Sequence, residues 1–169
     1  MPLADPESLG LPWQYQGDYG IYGLIDQQIL RKGADAGPGV YAFARVALAP
    51  PDRNPIDFYS DGGLNFQAMI DARPDDSFGF AGSFSKISGD ARGADRDVNR
   101  TEDGCAIVRD YEASVQATYS FGLLPGLKIQ PHVQYVLHPG GHIADPNDPT
   151  GRRAIPNALV VGLRTLVKW

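Results

Sequence analysis

The stretch that most constrains the fold is the last one, Ala158-Leu-Val-Val-Gly-Leu-Arg-Thr-Leu-Val-Lys-Trp169. Read with a period of two, Leu159, Val161, Leu163, Thr165, Val167 and Trp169 form one mostly apolar row. The opposite row, Val160, Gly162, Arg164, Leu166 and Lys168, is small or charged at three of five places. Successive side chains of a strand point to opposite faces, so this segment has one oily side and one wet side. In a soluble sandwich the oily side would meet a core and the chain would usually run on into a polar tail; here it stops on Trp169.

The same dyad recurs upstream. Tyr111, Ala113, Val115, Ala117, Tyr119 and Phe121 alternate with Glu112, Ser114, Gln116, Thr118 and Ser120, the cleanest split in the chain. Leu127, Ile129, Val133, Tyr135 and Leu137 alternate with Lys128, Gln130, His132 and Gln134, with Pro131 on the apolar row as a local weakness in the ladder. Ser77–Ser88 places Phe78, Phe80 and Phe84 against Gly79, Ala81, Ser83 and Ser85. In Ile56–Ile70, Leu64, Phe66, Ala68 and Ile70 alternate with Asn65, Gln67 and Met69. Val40–Ala49 has Val40, Ala42, Ala44, Val46 and Leu48 on one row and Arg45 opposite. Tyr19–Arg31 reads as a strand of unclear register, with a helix from Leu24 as the competing reading. Residues 1–18, with three Pro and two Gly, read as an irregular lead-in, so 19–169 holds the strands and loops of one β-barrel segment.

That makes roughly seven strands of about ten residues. Short turns are expected at 72–76 and 123–126, and long polar loops at 89–105 and 138–156. Such alternation is the habit of a transmembrane β-barrel with short turns on one side and long loops on the other. A soluble β-barrel or sandwich acting as a small-molecule binding module explains the strands but not the one-sided loops, and stays open as the alternative. No run of eighteen apolar residues exists, which excludes a membrane helix. The mean hydropathy of -0.26 leaves a barrel open, because lipid-facing residues occupy only alternate positions. A net charge of -5 argues against a nucleic-acid partner. The single Cys105 cannot form an internal disulfide.

Several phrases carry a resemblance. Asp57-Phe-Tyr-Ser-Asp-Gly-Gly-Leu, Arg73-Pro-Asp-Asp-Ser-Phe-Gly and, most specifically, Ile129-Gln-Pro-His-Val-Gln-Tyr-Val-Leu-His-Pro-Gly-Gly141 resemble the C-terminal half of the carbohydrate-selective porin family, OprB-like, over about Tyr19 to Trp169. The resemblance implies an all-β, antiparallel sixteen-stranded barrel in the bacterial outer membrane that passes glucose and other small sugars by diffusion. It implies no enzyme activity and no cofactor. The implied partners are small sugars, outer-membrane lipid and the barrel assembly machinery, which would read Trp169 as its signal; a second copy of the chain is added by analogy with trimeric porins. About seven strands cannot close sixteen, and Met1-Pro-Leu-Ala-Asp-Pro-Glu-Ser8 has neither a basic nor an apolar signal region. A fragment, a truncated reading frame or a degenerate paralogue is therefore expected; a small eight-stranded barrel using residues 1–18 would have a packed interior.

For sugar passage the wet rows offer Arg45, Glu112, Gln116, Gln130, His132, Gln134 and Arg164 as pore-lining candidates, with Asn65, Gln67 and Lys128 beside them. Arg and Glu facing one another would hold hydroxyls by charge-assisted hydrogen bonds. Arg45, Glu112 and Gln134 stand first among them. In the membrane reading Tyr111, Val115, Tyr119, Leu163 and Val167 touch lipid, and Tyr19, Tyr22, Phe58, Tyr59, Phe121, Tyr135 and Trp169 form interfacial girdles. His132, His138 and His142, with Asp145 and Asp148 nearby, lack the usual ligand spacing, so no metal is expected; Asp145-Pro-Asn-Asp-Pro149 reads as turn chemistry.

Overall fold

A computed structural model describes residues 16–33, 37–101 and 107–168; Cys105, Trp169 and most of the lead-in lie outside them. The dyad segments become seven strands: β1 (Ile21–Arg31), β2 (Gly39–Leu48), β3 (Ile56–Gln67), β4 (Ser77–Ile87), β5 (Tyr111–Leu124), β6 (Leu127–Leu137) and β7 (Ala158–Val167). They form one sheet in strict sequence order, β1-β2-β3-β4-β5-β6-β7, each pair antiparallel. Among the described residues β1 and β7 are its edges.

The register resolves what periodicity left open at β1. The segment is strand throughout. Gln28 pairs with Tyr41 and Leu30 with Val40, so Ile29 is the extra residue of a bulge. Polar residues stand on both rows (Asp26 and Gln28 against Gln27), and the strand is exposed along nearly all its length among the described residues.

β3 ends earlier than its alternation suggests. Ala68 takes φ 54, a left-handed conformation that ends the ladder. The connection to β4 therefore begins at Ala68 rather than Ala72. Lys32 Nζ donates to the carbonyls of Ala68 and Met69 at 2.9 Å each and pairs with Asp71 at 2.6 Å. At the same end Pro125-Gly126 joins β5 to β6, with Gly126 at φ 79 and its carbonyl accepting Lys168 N–H at 2.7 Å. A side chain at Gly126 would meet the Lys168 carbonyl oxygen at 2.5 Å, so glycine is required twice over.

The segment 89–105, expected as loop, carries a helix instead: α1, Gly89–Thr101. Its charge and two glycines masked the start chemistry. Ser88 is the cap: its hydroxyl accepts Ala91 N–H at 3.2 Å and its carbonyl accepts Arg92 N–H at 3.1 Å. Asp90 lies in the first turn and Arg100 in the last, each favoured by the helix dipole, and Arg100 pairs with Asp97 at 2.9 Å. Asp95 then accepts from Arg109 three times, at 2.9, 2.8 and 3.1 Å, fixing the helix to the approach of β5.

Among the described residues the sheet has no second layer. Val40 and Ile87 are the buried hydrophobic side chains among the described residues. Leu159, Val161, Leu163, Phe80, Val115 and Val133 are exposed on one face, Val161 to 75%. Connections 32–38, 68–76 and 125–126 lie at one end of the strands, and 49–55, 88–110 and 138–157 at the other. Loss of a serine cap costs about 1 kcal/mol. Ser88→Ala should therefore raise amide exchange in residues 89–92 by roughly fivefold, read by hydrogen-exchange mass spectrometry, with β4 and β5 unchanged.

Candidate functional site

Pairing register decides which side chains share a face. On the face opposite the apolar row, one line of paired residues runs Leu24, Arg45, Asp61, Ser83, Ser114 and Val136. The next runs Asp26, Phe43, Gly63, Ala81, Gln116, Gln134 and Val160. A third runs Gln28, Tyr41, Asn65, Gly79, Thr118, His132 and Gly162, and Gln130 sits beside Arg164. Glu112 lies opposite Ser85 on the same face. Arg45, Glu112, Gln116, Gln130, His132, Gln134 and Arg164 thus all project from one side of the sheet.

They are not all brought together. Arg45 on β2 is three strands from Glu112 on β5, and its carboxylate partner is Asp61, to which it forks: Nε donates to Oδ1 at 2.8 Å and the second guanidinium nitrogen to Oδ2. The Asp61 side chain is only 10% exposed against 58% for Arg45, so the guanidinium stands over a shielded carboxylate. With its cation in solvent, a pair of this kind adds little to stability. Glu112 is held elsewhere, accepting Gly140 N–H at 2.6 Å. Gln130 donates to Thr118 Oγ1 at 2.9 Å, and Ser83 and Ser114 share a hydrogen bond of 2.9 Å.

Aromatic rings complete the surface around Arg45. The Phe43 ring lies against Gly63, where an added Cβ would sit 2.9 Å from Cε1, and the Arg45 guanidinium carbon is 6.0 Å from the ring centre. Tyr22 and Tyr59 pair with Ala47 from either side and so stand on the Arg45 face, not in an interfacial girdle as expected. The dyad explains the correction: Tyr59 is two residues from Asp61 and one from Phe58. Asp61 and Phe43 were missed as site residues; carrying the Asn65/Gln67 alternation back across Gly63 would have found Asp61. His132 lies flat across Gly162, where any Cβ would strike the imidazole.

On the apolar face, aromatic residues gather toward the two ends. Phe58–Phe84 and Phe84–Tyr111 centroids are 6.1 and 5.4 Å apart at the long-loop end, and Phe66–Phe78 and Tyr119–Phe121 are 5.9 and 5.8 Å apart at the other. Tyr119 donates its hydroxyl to Asp76 in the short-turn connection. That bond, joined by Arg73 at 3.1 Å, holds the Asp76 carboxyl below its ordinary range.

This is a one-layer antiparallel sheet among the described residues, with an apolar face, a polar face and its two longest connections, 88–110 and 138–157, at one end: the wall of a porin-type barrel. The solved high-pH structure of Pseudomonas putida OprB has that fold; it superposes with a TM-score of 0.76 at 24% identity, over 89% of this chain and 35% of that one. The carbohydrate-selective porin, OprB family profile matches residues 3–169, and the chain belongs to that family, one of channels rather than enzymes. It is similar to Porin B of Pseudomonas aeruginosa, 26% identical over 153 residues, covering 86% of this chain and 32% of that protein. The chain spans about a third of the length of these relatives. The match reaches further toward the N-terminus than the resemblance from Tyr19 onward.

The Asp145-Pro-Asn-Asp-Pro149 segment is turn chemistry in the structure. Asp145 Oδ1 accepts the Asn147 amide at 2.9 Å, while Asp148 accepts Thr150 Oγ1 at 2.7 Å and the amides of Thr150, Arg152 and Arg153 at 3.0, 3.1 and 2.8 Å. The Thr150 hydroxyl first, then these amides, lower the Asp148 carboxyl to about 2. A depressed carboxyl contributes order that is complete above its ordinary value of about 4 and is lost as pH falls through about 2. Amide protection at Thr150, Arg152 and Arg153 should therefore be full above about pH 4 and fall progressively as pH drops through about 2, and Asp148→Asn should remove that pH dependence.

Proposed function

We propose that this chain supplies part of the wall of an outer-membrane channel through which small sugars such as glucose diffuse passively. The observation that carries the proposal is the register: seven polar candidates fall on one face while the other is an uncovered apolar band. In water such a band is not tolerated over so wide an area; against outer-membrane lipid it is what a barrel exterior requires. Strands of ten to fourteen residues extend about 33–46 Å, and tilted by about 45° they match a hydrocarbon core of about 30 Å. The soluble binding-module alternative needs a second layer over Val115, Val133 and Val161, and the described residues provide none.

On the polar face, Arg45, Asp61, Phe43, Tyr22 and Tyr59 form the surface best suited to a sugar. The Arg45–Asp61 pair offers charged donors and acceptors to vicinal hydroxyls, and the rings offer flat apolar area to the C–H face of a pyranose. Gln116, Gln134, His132, Gln130 and Arg164 continue a wet path along β5–β7. Nothing in this arrangement calls for covalent chemistry. Trp169 as the signal for the assembly machinery, and a second copy of the chain as partner, belong to the same proposal.

With Cys105 replaced by Ser, single cysteines at Val115, Val133 and Val161 should stay unreactive toward an impermeant maleimide in intact membranes, while those at Gln116 and Gln134 react. The reverse pattern would sink the channel reading. In swelling of proteoliposomes that carry the closed channel of which this wall is part, Arg45→Ala should slow glucose entry roughly 3- to 10-fold through loss of one hydrogen bond, and shift ion preference toward cations by exposing Asp61. Unchanged glucose entry would remove Arg45 from the sugar path.

A further inference from the structure

Beyond the polar face, the fold assembles a cluster that no spacing in the sequence discloses. Asp110, His138 and His142 place one ligand-capable atom each within 4.8 Å of one another. Asp110 is the last residue of the connection that leads into β5; the two histidines flank the turn after β6, at the long-loop end of the sheet. His138 Nδ1 is 3.0 Å from Asp110 Oδ1 and His142 Nδ1 is 3.6 Å from Asp110 Oδ2. The two imidazoles stack with centroids 4.2 Å apart, and Tyr111 backs His138 at 4.5 Å. His132, the remaining histidine, is on the polar face of β6 and takes no part.

The backbone is built to hold this arrangement. His138 and His142 take φ 49 and 71, a left-handed conformation that residues with a side chain adopt only under constraint. Two such residues in one short turn, both aimed at one carboxylate, is strain gathered at a point, and such strain concentrates at functional sites. The turn is locked by Gly141 N–H and His142 N–H donating to the His138 carbonyl at 2.9 and 3.0 Å, and by Asp110 N–H donating to the Gly141 carbonyl at 2.9 Å. Gly141 is packed so closely that a Cβ would lie 2.6 Å from Ile87 Cδ1. The side chains themselves stay 26–38% exposed, so an ion can reach them.

We propose that Asp110, His138 and His142 form a binding site for a late first-row divalent metal ion of the Zn(II), Cu(II) or Ni(II) class. Two imidazole nitrogens and one carboxylate are the donor set these ions prefer, whereas Mg(II) and Ca(II) select oxygen cages. An ion bonds imidazole nitrogen at about 2.0–2.1 Å, so rotation of the rings about their Cβ–Cγ bonds draws the donors inward without moving the locked backbone. Three protein donors leave a fourth position for water or an incoming ligand. Binding would clamp the 88–110 connection to the 138–157 connection. The proposal is independent of sugar passage.

The test is calorimetric titration of Zn(II) into the intact, tag-free protein in detergent, in a Cys105→Ser background. One saturable site per chain is expected. Asp110→Asn and His142→Ala should each weaken it at least tenfold, His132→Ala should leave it unchanged, and Mg(II) should not compete. Absence of saturable binding, or wild-type affinity in the His138→Ala/His142→Ala double variant, would overturn the proposal. A second readout needs no variant: the Cu(II)-loaded protein should show electron-paramagnetic nitrogen couplings from two imidazoles, and an oxygen-only spectrum would count equally against the site.

Discussion

The structure rests on the hydrogen-bond ladder between neighbouring strands. With no second layer among the described residues, the ladder, its cross-strand side-chain pairs and the connections set the position of one strand relative to the next, and each pairing inherits its register from the one before. Because side chains alternate with a period of two, a slip of one residue anywhere would move a whole strand's polar row onto the apolar side. The tight connections guard against this. Pro125-Gly126 permits one register, and the turn after β3 is fixed by Lys32 reaching over to its carbonyls. Buried packing, the usual arbiter of strand position, has almost no part here.

That dependence explains what could be read from the chain. Dyad alternation alone marked β4–β7 closely, because each face of these strands meets one uniform environment. The polar candidates shared a face for the same reason. β1 was ambiguous because Asp26, Gln27 and Gln28 put polar residues on both rows and a bulge then breaks the period at Ile29. α1 was hidden because its sequence carries no apolar stripe; it is capped by Ser88 and tied to the approach of β5 by Asp95, whose partner Arg109 lies fourteen residues on. Signals of that kind depend on contacts, not on composition.

The pairings across strands were the least legible. Arg45 was visible as a charge in an otherwise small and apolar strand, but its partner depended on whether β3 presented Asp57, Asp61 or neither to that face. Glu112 was the carboxylate expected to face an arginine, yet it lies at the loop end and is held by Gly140. The triad of Asp110, His138 and His142 was further from reach, since two of its members belong to a turn and the third to the lead of a strand. His132 is close to the other histidines in sequence, but alternation places it on the polar face, away from them.

The residues without side chains shape the polar face as much as those with them. Phe43 lies down because Gly63 opposite it on β3 leaves the backbone bare, and His132 lies down because Gly162 opposite it on β7 does the same. A ring flat on the sheet presents its broad surface and rises little more than its own thickness; a ring standing upright presents an edge and projects several ångströms further. The relief of this face is thus set by what sits across the ladder from each ring. Clearance above the sheet, and with it the size of anything that slides along it, is written partly in glycines.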